Sequence, residues 1–339
     1  MSPKFRGGSD DWLDDEQSVR KTKKPSGAAR AKPARREAAS LAPEEANATV
    51  CEVFKDQCRV LIDGESERLL CSYRRAEVVG GQKTERTPVA VGDRIRAQAT
   101  GSGTGVVEGL AERANFLSRP APGREAQEHV IAANLDRLLI VASVIRPEFS
   151  PGLIDRYLVA ASAAGISPLI SVTKVELLTP GSAKPWDVYR DLGYEVAETS
   201  TKGGVGINEL REQLKDRRVA FCGHSGVGKT SLLRALTGKD LGKVGDVSDA
   251  TARGRHTTTS AVLLEGPGQS RWIDTPGVRE FGLGRVAPGE LRSHFPELAH
   301  LQCEQSGCLH RDEAGCLARE LPRYLSYRRI LESLLSGEN

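Results

Sequence analysis

The stretch Arg218-Val-Ala-Phe-Cys222, followed by Gly223, His224, Ser225, Gly226, Val227, Gly228, Lys229, Thr230 and Ser231, decides the fold of this chain. A short apolar run enters a glycine loop of spacing Gly223-x4-Gly228-Lys229-Thr230, and a helix-forming run, Ser231-Leu-Leu-Arg-Ala-Leu236, leaves it. Glycines let the backbone curl until successive N–H groups point at one phosphate, and the helix that follows adds its positive end. Lys229 is then placed to reach the β- and γ-phosphates, and the Thr230 hydroxyl to bind Mg²⁺. Residues 223–231 are therefore expected to hold a nucleoside triphosphate.

Working outward, Asp274-Thr-Pro-Gly277 ends the apolar run Arg271-Trp-Ile. A carboxylate there can hold Mg²⁺ through water, and the Gly277 N–H can sense the γ-phosphate. Between loop and carboxylate lies the polar segment Ala252-Arg-Gly-Arg-His256-Thr-Thr-Thr259. Thr258 is the favoured Mg²⁺ ligand, with Thr257 and Thr259 as alternatives. Positioning of water is the main task in phosphoryl transfer, and Val278, an apolar residue, follows Gly277. His256 is thus the candidate to orient the attacking water, and solvent exposure or a phosphate contact is its other reading.

The base-reading segment comes before the phosphate loop. Thr173-Lys174-Val175-Glu176 ends the apolar run Pro168-Leu-Ile-Ser-Val, and Thr199-Ser200-Thr201-Lys202 ends the next one. These match, in position, the Asn-Lys-x-Asp and Ser-Ala-Lys segments that read guanine in GTPases, but the order is reversed: base first, phosphates second. That order is a circular permutation of a P-loop α/β sheet. The alternation of apolar runs and helical patterns from Leu135 onward, with Arg137–Ser143 the first buried run, predicts a mostly parallel sheet covered on both faces.

On either side of this domain the pattern changes. Thr49–Phe54, Cys58–Ile62, Arg68–Tyr73, Val89–Arg96 and Gly105–Glu108 are short strand-like runs with glycine-rich turns. They predict a small β-barrel over 49–117, oligonucleotide-binding (OB)-like or SH3-like. At the other end, Cys303-x4-Cys308-x-His310-x5-Cys316 offers three thiolates and an imidazole, a closed ligand set for one structural Zn²⁺. Seven cysteines, an odd number, argue against a disulfide framework.

The net charge is only +3, but residues 1–40 hold ten Lys/Arg against six Asp/Glu among Ala, Pro, Ser and Gly. Such a segment cannot bury enough surface to fold alone and suits a basic, disordered tail over 1–48 that meets phosphates. Arg319, Arg323, Arg328 and Arg329 add charge near the C-terminus, which agrees with an RNA partner. No apolar run reaches the roughly 18 residues of a membrane-spanning helix, and the first residues lack a signal-peptide layout. A cytoplasmic monomer is expected.

Taken in order, Gln127–Asp136, Leu153–Leu158, Gly223–Thr230, Gly254–Thr259, Asp274–Gly277 and the cysteine spacing resemble the ribosome small-subunit-dependent GTPase A family, the circularly permuted GTPases also called EngC. The resemblance covers about residues 49–330. It implies a GTPase domain over 118–287, joined to the barrel through Leu117–Pro122, and a zinc-binding module over 288–339. It further implies a GTP hydrolase acting late in assembly of the small ribosomal subunit, on its ribosomal RNA. One departure stands out: the family pattern predicts Asn-Lys-x-Asp where this chain has Thr173 and Glu176. Glu176 keeps the charge but adds a methylene, and Thr173 lacks an amide. Weaker or less selective guanine binding follows as an expectation, with an ATPase or a slow nucleotide-bound RNA scaffold as rival readings.

Overall fold

The computed structural model describes residues 41–73, 89–121, 124–238, 261–275, 281–283, 285–311 and 313–337. His256, Thr258, Gly277 and the basic segment 1–40 lie outside them.

Five strands close the barrel: β1 (Ala48–Val53), β2 (Gln57–Ile62), β3 (Arg68–Ser72), β4 (Arg94–Gly101) and β5 (Thr104–Leu110). They pair in the order β1-β2-β3-β5-β4, and β4 returns to β1 through Ala48↔Ile95. The β3–β5 pairing is parallel and the others antiparallel. A closed five-stranded ring of this order is the OB arrangement, which decides against the SH3-like alternative. Alternation explains its interior: Ala48, Val50, Cys58, Val60, Cys71, Ile95, Ala97 and Val107 point inward and are buried. Only Arg94–Arg96 of the expected Val89–Arg96 strand is strand. Val89, Ala90 and Val91 are buried ahead of a turn at Gly92, whose φ is +90°. A Cβ there would stand 2.3 Å from the Ala133 carbonyl oxygen, so the turn requires glycine. Leu41–Asn47, the end of the expected tail, is hydrogen-bonded to the barrel: the Asn47 side chain both donates to and accepts from the Ala97 backbone.

Leu117–Ala121 of the expected connection Leu117–Pro122 are strand instead. β6 (Phe116–Ala121) and β7 (Arg124–Ala133) form a separate antiparallel pair, so the expected boundary after residue 117 falls inside β6. β8 (Arg137–Ser143) then opens the nucleotide-domain sheet, followed by α1 (Pro151–Ala163), β9 (Ser167–Thr173), α2 (Asp187–Asp191), β10 (Val196–Glu198), α3 (Ile207–Gln213), β11 (Arg218–Cys222), α4 (Lys229–Thr237), β12 (Val262–Glu265) and β13 (Arg271–Asp274). The strand order is β10-β9-β8-β11-β13-β12. All pairings are parallel except β12–β13. Glu52↔Val262 pairs β1 with β12 and makes the barrel continuous with this sheet.

Leu210 of α3, Leu214 just after it, and Leu232, Leu233 and Leu236 of α4 cover one face against Phe221 and Trp272. On the other face α1 packs with Ile154, Tyr157, Leu158 and Ala161. The C-terminal residues then fold over α1. They comprise a 3₁₀ turn (Leu291–His294), α5 (Pro296–Ala299), a second turn (Leu317–Glu320) and α6 (Tyr324–Ser336). Leu291, Phe295, Tyr327, Ile330 and Leu331 join one continuous core with Tyr157 and Trp186. Arg323, expected as a nucleic-acid contact, is only 4% exposed. Its guanidinium meets Asp155 of α1 at 3.1 Å and Glu297 at 2.6 Å, and stacks near the rings of Phe295, Tyr194 and Tyr189. A buried cation held by two carboxylates is structural, so Arg323, contrary to the expectation, is not presented to RNA.

Candidate nucleotide and metal sites

Parallel strands β9, β8 and β11 end at the same edge of the sheet, so the segments that follow them are neighbours, as ligand loops are in open α/β sheets. The phosphate loop leaves β11. Gly223 has φ +141°, and a Cβ on it would lie 2.1 Å from the Val141 carbonyl oxygen of β8. Gly226 and Gly228 also take positive φ, +81° and +99°. α4 starts at Lys229, with Thr230 and Ser231 in its first turn and exposed. The Lys229 ammonium curls back to donate to the carbonyls of Gly223 at 2.6 Å and His224 at 3.1 Å, while the His224 ring stays beside the Ser225 carbonyl at 2.8 Å.

Asp274 ends β13 beside this loop and is 4% exposed. Burial pushes its carboxyl up, and the nearby Lys229 charge opposes that. Burial likewise lowers Lys229, with Asp274 pulling the other way. Asp274 Oδ1 is buried with no hydrogen-bond partner among the described residues. An orphaned carboxylate oxygen at this place fits a hydrated divalent cation, which would supply the missing hydrogens through its water. Thr275, given no role by the sequence, donates its hydroxyl to the Phe221 carbonyl at 2.6 Å and pins β13 to β11.

The base segment reaches the loop directly. Thr173 is 3% exposed, and its Oγ1 lies 2.5 Å from the Val227 carbonyl oxygen and 3.2 Å from that of Ala142. Lys174, at φ +61°, donates to the carbonyls of Gly226 at 2.8 Å, Ile145 at 3.3 Å and Arg146. These carbonyls carry no sequence signal, so only the structure reveals that residues 226 and 227 receive the base strand. Glu176 is exposed at the start of the next turn, and the Ser200 hydroxyl lowers its pKa. Ser200 is buried. Its N–H donates to the Val205 carbonyl, and its hydroxyl accepts from the Gly203 N–H at 2.9 Å, which closes a turn through Thr201. Thus Thr173, Lys174, Glu176, Ser200 and Thr201 lie together at one edge with the phosphate loop. A cavity of about 210 Å³ also opens beside the loop, lined by Ser143, Pro147, Glu148, Tyr157, His224 and Val227. None of the base-segment residues lines it.

The cysteine–histidine cluster assembles as its spacing requires. The Sγ atoms of Cys303 and Cys316 lie 3.4 Å from His310 Nδ1, and that of Cys308 lies 3.5 Å away. All four ligand atoms fall within 4.8 Å of one another. A tetrahedral ion with metal–S of about 2.3 Å and metal–N of about 2.0 Å needs an S–N separation of about 3.5 Å, so the cluster fits a metal ion. Burial lowers the His310 pKa and favours the neutral imidazole that a metal needs. Tyr327 and Tyr324 donate to the carbonyls of Leu309 and Arg311 and hold the cluster on α6.

The family model described as RsgA GTPase matches residues 110–284. A small ribosomal subunit biogenesis GTPase RsgA from Shewanella oneidensis is 37% identical over 311 residues, 87% of this chain and 85% of that protein. The protein of the same name from Chlorobaculum parvum is 38% identical over 265 residues, 73% of this chain and 85% of its own. YjeQ from Thermotoga maritima superposes with a TM-score of 0.63 at 29% identity, covering 85% of this chain and 98% of that one. YloQ, a circularly permuted GTPase, shares the fold at a TM-score of 0.61 and 24% identity, covering 85% of this chain and 94% of that one. The base-before-phosphate order, the closed barrel and the cysteine–histidine cluster agree with these likenesses: the chain belongs to the RsgA GTPase family.

Proposed function

We propose that this GTPase is a late assembly and checkpoint factor of the small ribosomal subunit, and that GTP sets the pose of its RNA-contacting modules. The observation that supports the chemical part is the meeting of Lys174 and Thr173 with the carbonyls of Gly226 and Val227, as expected if base and phosphate segments serve one nucleotide. The relatives named for small ribosomal subunit biogenesis carry the biological part. Gly223 to Ser231 cradle the phosphates, with Lys229 on the β- and γ-phosphates. Thr230, Thr258 and Asp274 would hold Mg²⁺, which would supply neutralisation of charge on the transferred phosphoryl group. His256 orients the attacking water, and Gly277 senses the γ-phosphate. Cys303, Cys308, His310 and Cys316 hold one structural Zn²⁺.

In this reading four parts divide the work: a basic tail that ends before Leu41, the barrel of β1 to β5, the GTPase domain with the β6–β7 pair at its start, and the zinc module over 288–339. The zinc module shares a core with α1. The protein acts as a monomer in the cytoplasm; no described helix is long and apolar enough to cross a membrane.

The deciding experiment is the GTP hydrolysis rate with and without small subunits, for wild type and His256→Ala. Strong stimulation of the wild type, lost in the variant, is expected. A rate that stays slow with subunits present would favour the nucleotide-bound RNA scaffold. Thr173 and Glu176 keep an ATPase as the second reading, and competition between ATP and GTP for the site separates the two.

A further inference from the structure

The side-chain donors of Thr173 and Lys174 are already committed. Thr173 has one hydroxyl hydrogen and two carbonyl acceptors beside it, those of Val227 and Ala142, and it is 3% exposed. Gly228 closes over it as well, since a Cβ there would lie 3.6 Å from Thr173 Oγ1. The Lys174 ammonium is spread over the carbonyls of Gly226, Ile145 and Arg146. The Ser200 hydroxyl accepts from Gly203 and lies close enough to Glu176 to lower its pKa.

Guanine offers acceptors, N7 and O6, on one edge and donors, N1–H and the N2 amine, on the other. A carboxylate accepts only, so Glu176 can read the donor edge and nothing else. We infer that this site reads guanine without a side-chain contact from residues 173–176 to purine N7, because Thr173 spends its only hydrogen on the phosphate loop. Thr173 is then a positioning residue: it fixes the Val227 carbonyl, and through it the loop, whatever base is bound. Selectivity for guanine falls on Glu176 and on backbone groups of the Ser200–Thr201 turn.

This inference rests on the base lying against residues 173–176, and its test separates the two. Affinities of the full-length protein are measured for GTP, 7-deaza-GTP and inosine triphosphate by displacement of a fluorescent guanine nucleotide. GTP and 7-deaza-GTP should bind within about twofold of each other, because no hydrogen bond of the usual strength is lost. Inosine triphosphate, which lacks the N2 amine, should bind at least about fivefold more weakly than GTP, and Glu176→Gln should narrow that gap. Thr173→Val should weaken GTP and 7-deaza-GTP by the same factor, and Thr173→Ser should restore both. Thr173→Asn adds an amide at this position and should make the protein prefer GTP over 7-deaza-GTP.

A wild type that binds 7-deaza-GTP fivefold or more weakly, while still preferring GTP over inosine triphosphate, overturns this inference alone. So does a Thr173→Val variant that weakens GTP but not 7-deaza-GTP. Equal binding of GTP and inosine triphosphate overturns the placement of the base, and the inference with it, as does a Thr173→Asn variant that still binds GTP and 7-deaza-GTP alike.

Discussion

Arg323 of the C-terminal module and Asp155 of α1 form an ion pair at 3.1 Å with almost no exposure on either side. Glu297 completes the shell of the cation at 2.6 Å. The pair ties the module that carries the cysteine–histidine cluster to the helix that covers the nucleotide-domain sheet. Removing one partner leaves the other charged and buried, which costs about 3–5 kcal/mol. Arg323→Ala should therefore destabilise the protein by that amount in urea unfolding. The triple variant Arg323→Met, Asp155→Leu, Glu297→Leu, which leaves no unpaired charge behind, should recover much of the loss. A loss under about 1 kcal/mol for Arg323→Ala would show that the pair contributes little.

Gly223→Ala should abolish tight nucleotide binding. The added methyl group would stand 2.1 Å from the Val141 carbonyl oxygen at a backbone φ of +141°, so either the loop or β8 must shift. Neighbouring Ser225 is exposed, and Ser225→Ala should cost less than tenfold in affinity. Titration of both variants with a fluorescent guanine nucleotide checks the contrast. Similar affinities for the two would refute the packing argument.

Glu198 links stability to pH. Burial would raise its carboxyl, but hydrogen bonds from Trp186, Arg190 and Lys184 outweigh that and hold it at about 2, below its ordinary 4.5. The folded state therefore favours the ionised form. Its contribution is complete above pH 4.5 and is lost as pH falls from there toward 2. Glu198→Gln should be less stable than wild type by about 1–3 kcal/mol at pH 7, and the two should converge only as the pH reaches about 2. A gap that is constant with pH would assign the effect to packing instead. Glu198 directly precedes Thr199 and Ser200, so the same variant should also weaken guanine binding.

Metal removal should be felt beyond the cluster. Cys308 and Cys316 belong to the same core as Tyr327, Phe295 and Tyr157. Chelation, or Cys308→Ser, should lower the melting temperature of the whole protein by on the order of 5 °C or more. One metal ion per chain should be lost with it. Loss of metal with an unchanged melting temperature would mean that the cluster stabilises only its own loop.

Asp274→Asn tests the orphaned oxygen. The buried Oδ1 has no partner among the described residues, so a neutral amide would remove the charge that holds a hydrated cation. Hydrolysis should fall by about 10²-fold or more, since charge neutralisation dominates phosphoryl transfer. The variant should also lose Mg²⁺-dependent tightening of GTP binding. Retained Mg²⁺ dependence would place the ion elsewhere.

Much of the molecule is written in runs of neighbouring residues. β8 and β11 match the apolar runs Arg137–Ser143 and Arg218–Cys222 residue for residue, because a strand buried on both faces must be apolar throughout. The hairpin of β6 and β7 was not legible. Its register slips twice, between Leu117 and Ser118 and between Pro120 and Ala121, so no strict alternation marks it. Val89–Val91 read as strand because they are apolar, yet they are a buried approach to the Gly92 turn.

The sequence by itself determined what depends on residues close together in the chain. These are the glycine curl from Gly223 to Gly228, the metal cluster from Cys303 to Cys316 and the base-first order that marks a permuted sheet. Tertiary structure decided what depends on distant partners. Thr173 became a grip on the phosphate loop because Val227, 54 residues away, presents its carbonyl there. Arg323 turned from an expected RNA contact into a buried structural cation because Asp155, 168 residues away, meets it across a helix interface. A side chain's chemistry is fixed by its type, but its role is set by which partner takes its hydrogen or its charge, and folding chooses that partner.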